Sequence, residues 1–320
     1  MSAEDQGRAR AATFREQHNL GHAPLPDLVS LIELSQRIDV AVIEAEQDEH
    51  GMTMRDPVRQ VVMVAVALTS HPMRQRSTLA HELGHVLFGD FAAPKAGGWD
   101  RRSPEEIRAD AFARHLLVPI AGIKSVLADC DAGRTEDVRS GANVGEVQAA
   151  RAKGRRGPEK VSLPELSVLV QRFKASPSLV AIQLCGARLI STAQKNEWMT
   201  LSTPTLAARF GWSDLYQGWQ HESRTRRAPQ RLLSRAIEGY MANVVSLQAV
   251  ARLRGLPEEQ IAAELEEAGI IPAEVAPVPV PAAGKRRPDT DFSELDALEE
   301  STGPAGDKSA PRAGRGAHGE

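Results

Sequence analysis

Thr78-Leu-Ala-His81-Glu82-Leu-Gly-His85-Val-Leu-Phe-Gly89 is the stretch on which the reading of this chain turns. Leu79, Leu83, Val86 and Leu87 recur at helical spacing, and at about 100° per residue they share roughly one third of a helix circumference. The spacing predicts a helix over about 75–89. His81 and His85 stand at i and i+4, one above the other, almost opposite that apolar face. Glu82 falls at the border between the two sides. Two imidazoles one turn apart can converge on a single divalent cation, and a carboxylate beside them can take a proton from water. The apolar flanks, Leu79-Ala80 and Val86-Leu87-Phe88, make this a buried helix, and buried imidazoles and carboxylates require partners.

A tetrahedral site needs a third protein ligand. The next helical stretch, about 104–118, opens Ser103-Pro-Glu105-Glu106-Ile-Arg-Ala109-Asp110 and runs on through Phe112, His115 and Leu116 to Pro119. Glu106 and Asp110 lie one turn apart. Ala109 and Ala113 carry little bulk beside them, which lets another helix approach closely. Glu106 also reads as the end of a capping box that starts at Ser103, with Pro104 at the first helical position. Glu106 is the third ligand this spacing favours, with Glu105 and Asp110 as the competing carboxylates. His115 reads as a packed or rim histidine.

Outward from this core, Pro24 and Pro26 introduce a helix over about Asp27–Arg37. Asp39–Glu44 reads as a strand, Gly51–Arg55 as a short one, and Val61–Leu68 as a continuous β-branched run buried on both faces. Together with the two helices this is an α+β domain over 24–130. Residues 1–23 are polar and read as a flexible N-terminus. Residues 131–160 are rich in glycine and basic side chains and read as a linker or long loop. Residues 161–272 are helical in pattern, and 273–320, rich in Pro, Ala, Gly and charge, read as a disordered tail. Within that tail Asp291–Leu298 reads as a solvated acidic stretch, with folding on a partner as the alternative. A weak repeat, Val170–Pro177, Leu206–Ser213 and Val250–Pro257, places an Arg-containing helix end before a turn and another helix, as helix-turn-helix units do and as plain packed helical hairpins, the preferred reading, also do.

The 320 residues include 39 Lys+Arg against 42 Asp+Glu, a net charge of -3, so no global basic bias points to nucleic acid. The local run Arg224, Arg226, Arg227, Arg231 and Arg235 keeps a DNA-binding regulator open as an alternative. Two cysteines, Cys130 and Cys185, cannot form a disulfide framework and read as reduced thiols. The N-terminus has no apolar signal core, and Val61–Leu68 is too short to cross a bilayer. A cytoplasmic protein without a membrane partner is expected.

HELGH at 81–85, followed by Glu106-x-x-Ala109-Asp110-x-Phe112-Ala113-x-x-Leu116-Leu117-x-Pro119, resembles the ImmA/IrrE-type metallopeptidases. The lead-in Arg74-Gln-Arg-Ser-Thr-Leu-Ala is similar as well, and the strong likeness covers about 55–120. Ser77, where an aromatic is common, and His71-Pro72 depart from the pattern. The resemblance implies a small zincin-like domain, with a short antiparallel or mixed sheet and active-site helices, ahead of an all-α region. It implies one Zn²⁺ per chain, held by His81, His85 and Glu106, with Glu82 as catalytic base. It also implies an intracellular endopeptidase whose protein substrate is a helix-turn-helix repressor controlling a stress or mobile-element response. An oxyanion or outer-sphere donor is expected among His71, Arg74, Asp110 and His115. Val61–Leu68 is a candidate strand for pairing with an extended substrate.

Overall fold

Three strands lie at the centre of the domain. β1 (Asp39–Ile43) and β2 (Gly51–Arg55) flank β3 (Val62–Ala67) in the order β1-β3-β2. β1 pairs with β3 in parallel, Val40 opposite Val64, and β2 pairs with β3 antiparallel, Thr53 opposite Val64. The sheet is therefore mixed, and the β-branched run is its interior strand, as continuous apolar character requires. Both edges of β3 are taken, so it cannot accept a substrate strand. The outer edge of β1 is closed by Arg227, which exchanges both backbone hydrogen bonds with Val42.

The structure, a computed structural model, describes residues 1–45, 50–91, 103–140 and 161–273, with side chains as far as 131 in the third segment. All of them belong to one compact unit, Met1–Ala273. Residues 141–160 of the expected linker lie outside the described residues. So does the expected tail beyond Ala273, with Asp291–Leu298.

Around the sheet run α1 (Ala3–Gln17), α2 (Leu28–Gln36), α3 (Pro72–Phe88), α4 (Pro104–Leu117) and α5 (Ile120–Ser140). The N-terminal segment is helical, contrary to the flexible reading. Ser2 caps α1 by accepting from the Asp5 amide at 3.1 Å. The face that α1 buries is Gly7, Ala11 and Phe14, residues too small or too few to register as an amphipathic stripe. A Cβ on Gly7 would lie 2.3 Å from the Arg108 carbonyl, so α1 rests directly on the α4 backbone. The Arg15 guanidinium, 4% exposed, seals the contact by donating to the Leu116 carbonyl at 2.6 and 2.9 Å. Burial holds its pKa down to about 10. A second difference lies in α5, whose last turns, 131–140, occupy the start of the stretch read as a linker.

α4 and α5 follow each other across Val118 and Pro119. Pro104–Asp131 is the one described helical stretch long and apolar enough to cross a bilayer. Its Phe112, Leu116, Leu117 and Ile123 are nonetheless core residues at 0–1% exposure.

Beyond the undescribed segment come α6 (Leu163–Phe173), α7 (Pro177–Gly186), α8 (Thr192–Trp198), α9 (Thr203–Arg209), α10 (Ser213–Ser223), α11 (Gln230–Met241), α12 (Leu247–Arg254) and α13 (Glu258–Glu267). The three repeat units are helix pairs with left-handed turns at Lys174, Gly211 and Gly255. They do not form a separate body after a linker. Leu166, Val170, Phe173, Leu184, Trp212 and Trp219 share one hydrophobic core with Val40, Val64, Leu83 and Phe112. Only α11–α13 have a small core of their own, around Val250 and Ile261. α10 fastens the loop between β3 and α3: Ser223 Oγ donates to the Thr69 carbonyl at 2.8 Å, and Gln220 Nε2 to Ser70 at 2.9 Å.

Candidate metal centre

α3 starts with Pro72 at its first turn and stops at Gly89, whose φ of 76° is the left-handed conformation of a helix C-terminus. It buries Leu79, Ala80, Leu83 and Gly84 and turns His81 and His85 toward α4. A Cβ on Gly84 would be 3.2 Å from Ala109 Cα, so the small-residue approach expected at Ala109 is made by Gly84. That close packing brings the first turn of α4 up to the histidines.

The Nε2 atoms of His81 and His85 are 3.0 Å apart. Glu106 Oε2 is 3.3 Å from His81 Nε2, and Oε1 is 3.5 Å from His85 Nε2. Ligands held at ~2.0–2.1 Å in a tetrahedron lie about 3.3–3.4 Å from one another, so the three donors already have the spacing of a filled coordination face. Among the described residues, His81, His85 and Glu106 form the one His/Cys/Asp/Glu group compact enough to hold a metal ion. The Glu106 amide meanwhile donates to Ser103 Oγ at 3.4 Å, so its backbone serves the cap while its carboxylate faces the imidazoles.

Asp110 stands behind His81, with Oδ1 2.9 Å from Nδ1. A carboxylate there fixes the proton on Nδ1 and leaves the Nε2 lone pair for the shared face. Burial works to lower the His81 pKa, but the hydrogen bond and charge of Asp110, with the charges of Glu106 and Glu82, outweigh it and raise the pKa overall. Glu82 accepts a hydrogen bond from Thr53 Oγ1 at 2.7 Å. β2 reaches this position because Gly51 carries no side chain: a Cβ would meet Thr78 Cγ2 at 2.5 Å.

A cleft of about 580 Å³ opens over His81, Glu82 and Asp110. Gly51 and Thr78 border one side, and Ala113, Arg114 and, from α7, Ser178, Leu179 and Ile182 border it elsewhere. Ser77, the departure from the family pattern, also lines it. The other expected donors are elsewhere. His71 is the exposed N-cap of α3, about 15 Å along the axis from His81 at 1.5 Å per residue, and Arg74 is exposed one turn closer. His115 faces a different groove of about 720 Å³ with Arg15 and His22. Its pKa is lowered by burial and the charges of Arg114 and Arg8, against the pull of Glu4.

Residues 36–152 match the family model of the IrrE N-terminal-like domain, a peptidase family. This segment is an IrrE N-terminal-like peptidase domain. Comparison with curated proteins gives no match. The IrrE-like segment contains the sheet, α3, α4 and every member of the compact ligand group, and its family implies a metal. Two parts of the site environment lie outside the matched residues. α1 supports α4 from behind, and α7 supplies a wall of the cleft. Sequence reasoning missed Thr53, Asp90, Ser178, Leu179 and Ile182. Asp90 follows the Gly89 turn that ends α3, and the other four reach the site through tertiary packing.

Proposed function

We propose that the chain is a zinc-dependent endopeptidase acting in the cytoplasm on a helix-turn-helix repressor. The observation that carries the reading is the convergence of His81, His85 and Glu106 at 3.0–3.5 Å, with Glu82 beside His81 on the cleft. Imidazole nitrogens and one carboxylate are a donor set suited to Zn²⁺. When bound, the ion supplies Lewis-acid polarisation of the scissile carbonyl and acidification of water. The protein does the rest. Glu82, oriented by Thr53, accepts the water proton as the carbon–oxygen bond forms, and returns it to the leaving amine as the carbon–nitrogen bond breaks. Asp110 holds His81 in its tautomer. Leu179, Ile182 and Ala113 form an apolar wall suited to an aliphatic side chain of the substrate.

The repressor as substrate rests on the family resemblance. The DNA-binding alternative draws less support. α7, the second helix of the first repeat pair, is buried on most sides, and α13, in the corresponding place of the last pair, exposes Glu258, Glu259, Glu264, Glu266 and Glu267. An acidic helix repels phosphate. From the basic run, Arg227 is paired with Glu33 at 3.3 Å and Arg231 with Asp39 at 3.0 Å. The test is co-expression with candidate helix-turn-helix repressors, wild type against Glu82→Ala. Cleavage by the wild type alone supports the reading. No cleavage by either, or equal cleavage by both, overturns it.

A further inference from the structure

The two histidines are supported unequally. His81 Nδ1 has its carboxylate, Asp110, at 2.9 Å. His85 Nδ1 is buried and, among the described residues, has no hydrogen-bond partner, yet a second carboxylate, Asp90, stands 3.8 Å from it. Asp90 is not there by chance of a surface loop. Its side chain is only 11% exposed, and its amide donates to the His85 carbonyl at 2.9 Å in the turn that ends α3. The left-handed Gly89 folds the chain back so that Asp90 lies beside the helix it has just left.

Arg108 holds Asp90 in place. Its guanidinium makes a two-pronged contact, Nε donating to Oδ2 at 3.0 Å and Nη2 to Oδ1, and its plane lies 5.0 Å over the Phe88 ring. A fork-to-fork pair of this kind fixes orientation as well as distance. Arg108 sits on α4 between Glu106 and Asp110, so the clamp ties the end of the histidine helix to the turn that carries Glu106.

We infer that Asp90, held by Arg108, is the positioning residue for His85. It supplies to His85 what Asp110 supplies to His81, and it closes the remaining gap of about 0.8 Å to hydrogen-bond distance when the imidazole takes up a cation. This rests on the reading of His81, His85 and Glu106 as a metal site. Asp90→Asn keeps the shape of the side chain but removes its charge and one arm of the fork. The measurements are zinc affinity by competition with a chromogenic chelator, the visible spectrum of the Co²⁺-loaded protein, and the thermal midpoint of the metal-free protein. The expected result is an affinity loss of about 10–100-fold and an altered Co²⁺ spectrum, with the metal-free midpoint nearly unchanged. Arg108→Lys, which keeps the charge and loses the fork, is expected to weaken zinc several-fold and decides the question if Asp90→Asn does not fold. Wild-type affinity and spectrum in either folded variant overturn the inference and leave the metal reading standing. If wild type binds no zinc, or His85→Ala binds as wild type does, the metal reading itself fails.

Discussion

Gly7→Ala tests whether the N-terminal helix is part of the fold. In a solvent-exposed helix this change is stabilising by about 0.5–1 kcal/mol, because glycine loses more backbone entropy on folding. Here the new Cβ would lie 2.3 Å from the Arg108 carbonyl oxygen, 2.6 Å from Ala111 Cβ and 2.8 Å from the Phe112 amide nitrogen. Two of those atoms are α4 backbone and cannot rotate away, so α1 must retreat by about 1 Å, loosening Ala11, Phe14 and the Arg15 bonds to Leu116. Overpacking of this kind costs about 1–3 kcal/mol. After the helix-propensity gain is subtracted, a net loss centred on about 1 kcal/mol remains, a fall of about 2–4 °C in the thermal midpoint for a body of this size. Gly218→Ala is the matched control: Gly218 is exposed on α10, a methyl added there would meet no atom within 4 Å, and the change should raise stability slightly. Circular dichroism melts of both variants make the comparison. If Gly7→Ala is as stable as Gly218→Ala, α1 does not dock on α4 and the account of the N-terminus is wrong.

Glu106→Gln should leave the metal-free stability close to wild type, since Gln serves at the third helical position nearly as well as Glu, while weakening zinc sharply; Asp110→Asn should retain more metal than Glu106→Gln, and the reverse order in a chelator titration would make Asp110 the ligand. Glu82→Gln should keep zinc and fold while losing at least ~10²-fold in peptidase rate, and a rate within a few-fold of wild type would remove Glu82 from proton transfer. In metal-free protein the two perturbed histidines pull stability in opposite directions. The raised pKa of His81 gives stability that is present below its unfolded value near ~6.5 and lost as pH rises through the folded value. The lowered pKa of His115 costs stability as pH falls below that same unfolded value. Urea titrations between pH 5 and 8 should therefore show His115→Gln losing less stability on acidification than wild type; an equal or larger loss counts against the burial argument.

The clustering of the donors was legible because most of it is written locally. His81, Glu82 and His85 occupy adjacent turns of one helix, and Ser103, Glu106, Ala109 and Asp110 occupy another, so spacing alone brings each set to one face. Burial of the β-branched run at 62–67 was legible too, while its pattern left an antiparallel sheet and a mixed one equally open. What spacing does not carry is closure between distant segments. Leu179 and Ile182 read as ordinary core residues until α7 is placed against the cleft. Thr53 is a lone hydroxyl on a short edge strand whose pattern marks no residue for function. α1 escaped notice because Gly7 and Ala11 contribute contact through smallness, and hydropathy does not score smallness as burial.

The outer edge of β1 has a consequence for synthesis. It is completed by Arg227, which lies 194 residues after its other partner, Glu33. At a ribosomal rate of about 5–20 residues per second, that interval lasts on the order of 10–40 seconds. For that time the nascent chain carries Val42 with its outward backbone N–H and C=O unmatched, the kind of template along which separate polypeptides join. A chain cut anywhere before Arg227, including one trimmed to the IrrE-like segment, never leaves that state. Such fragments should collect in the insoluble fraction even though every metal-facing side chain is still encoded.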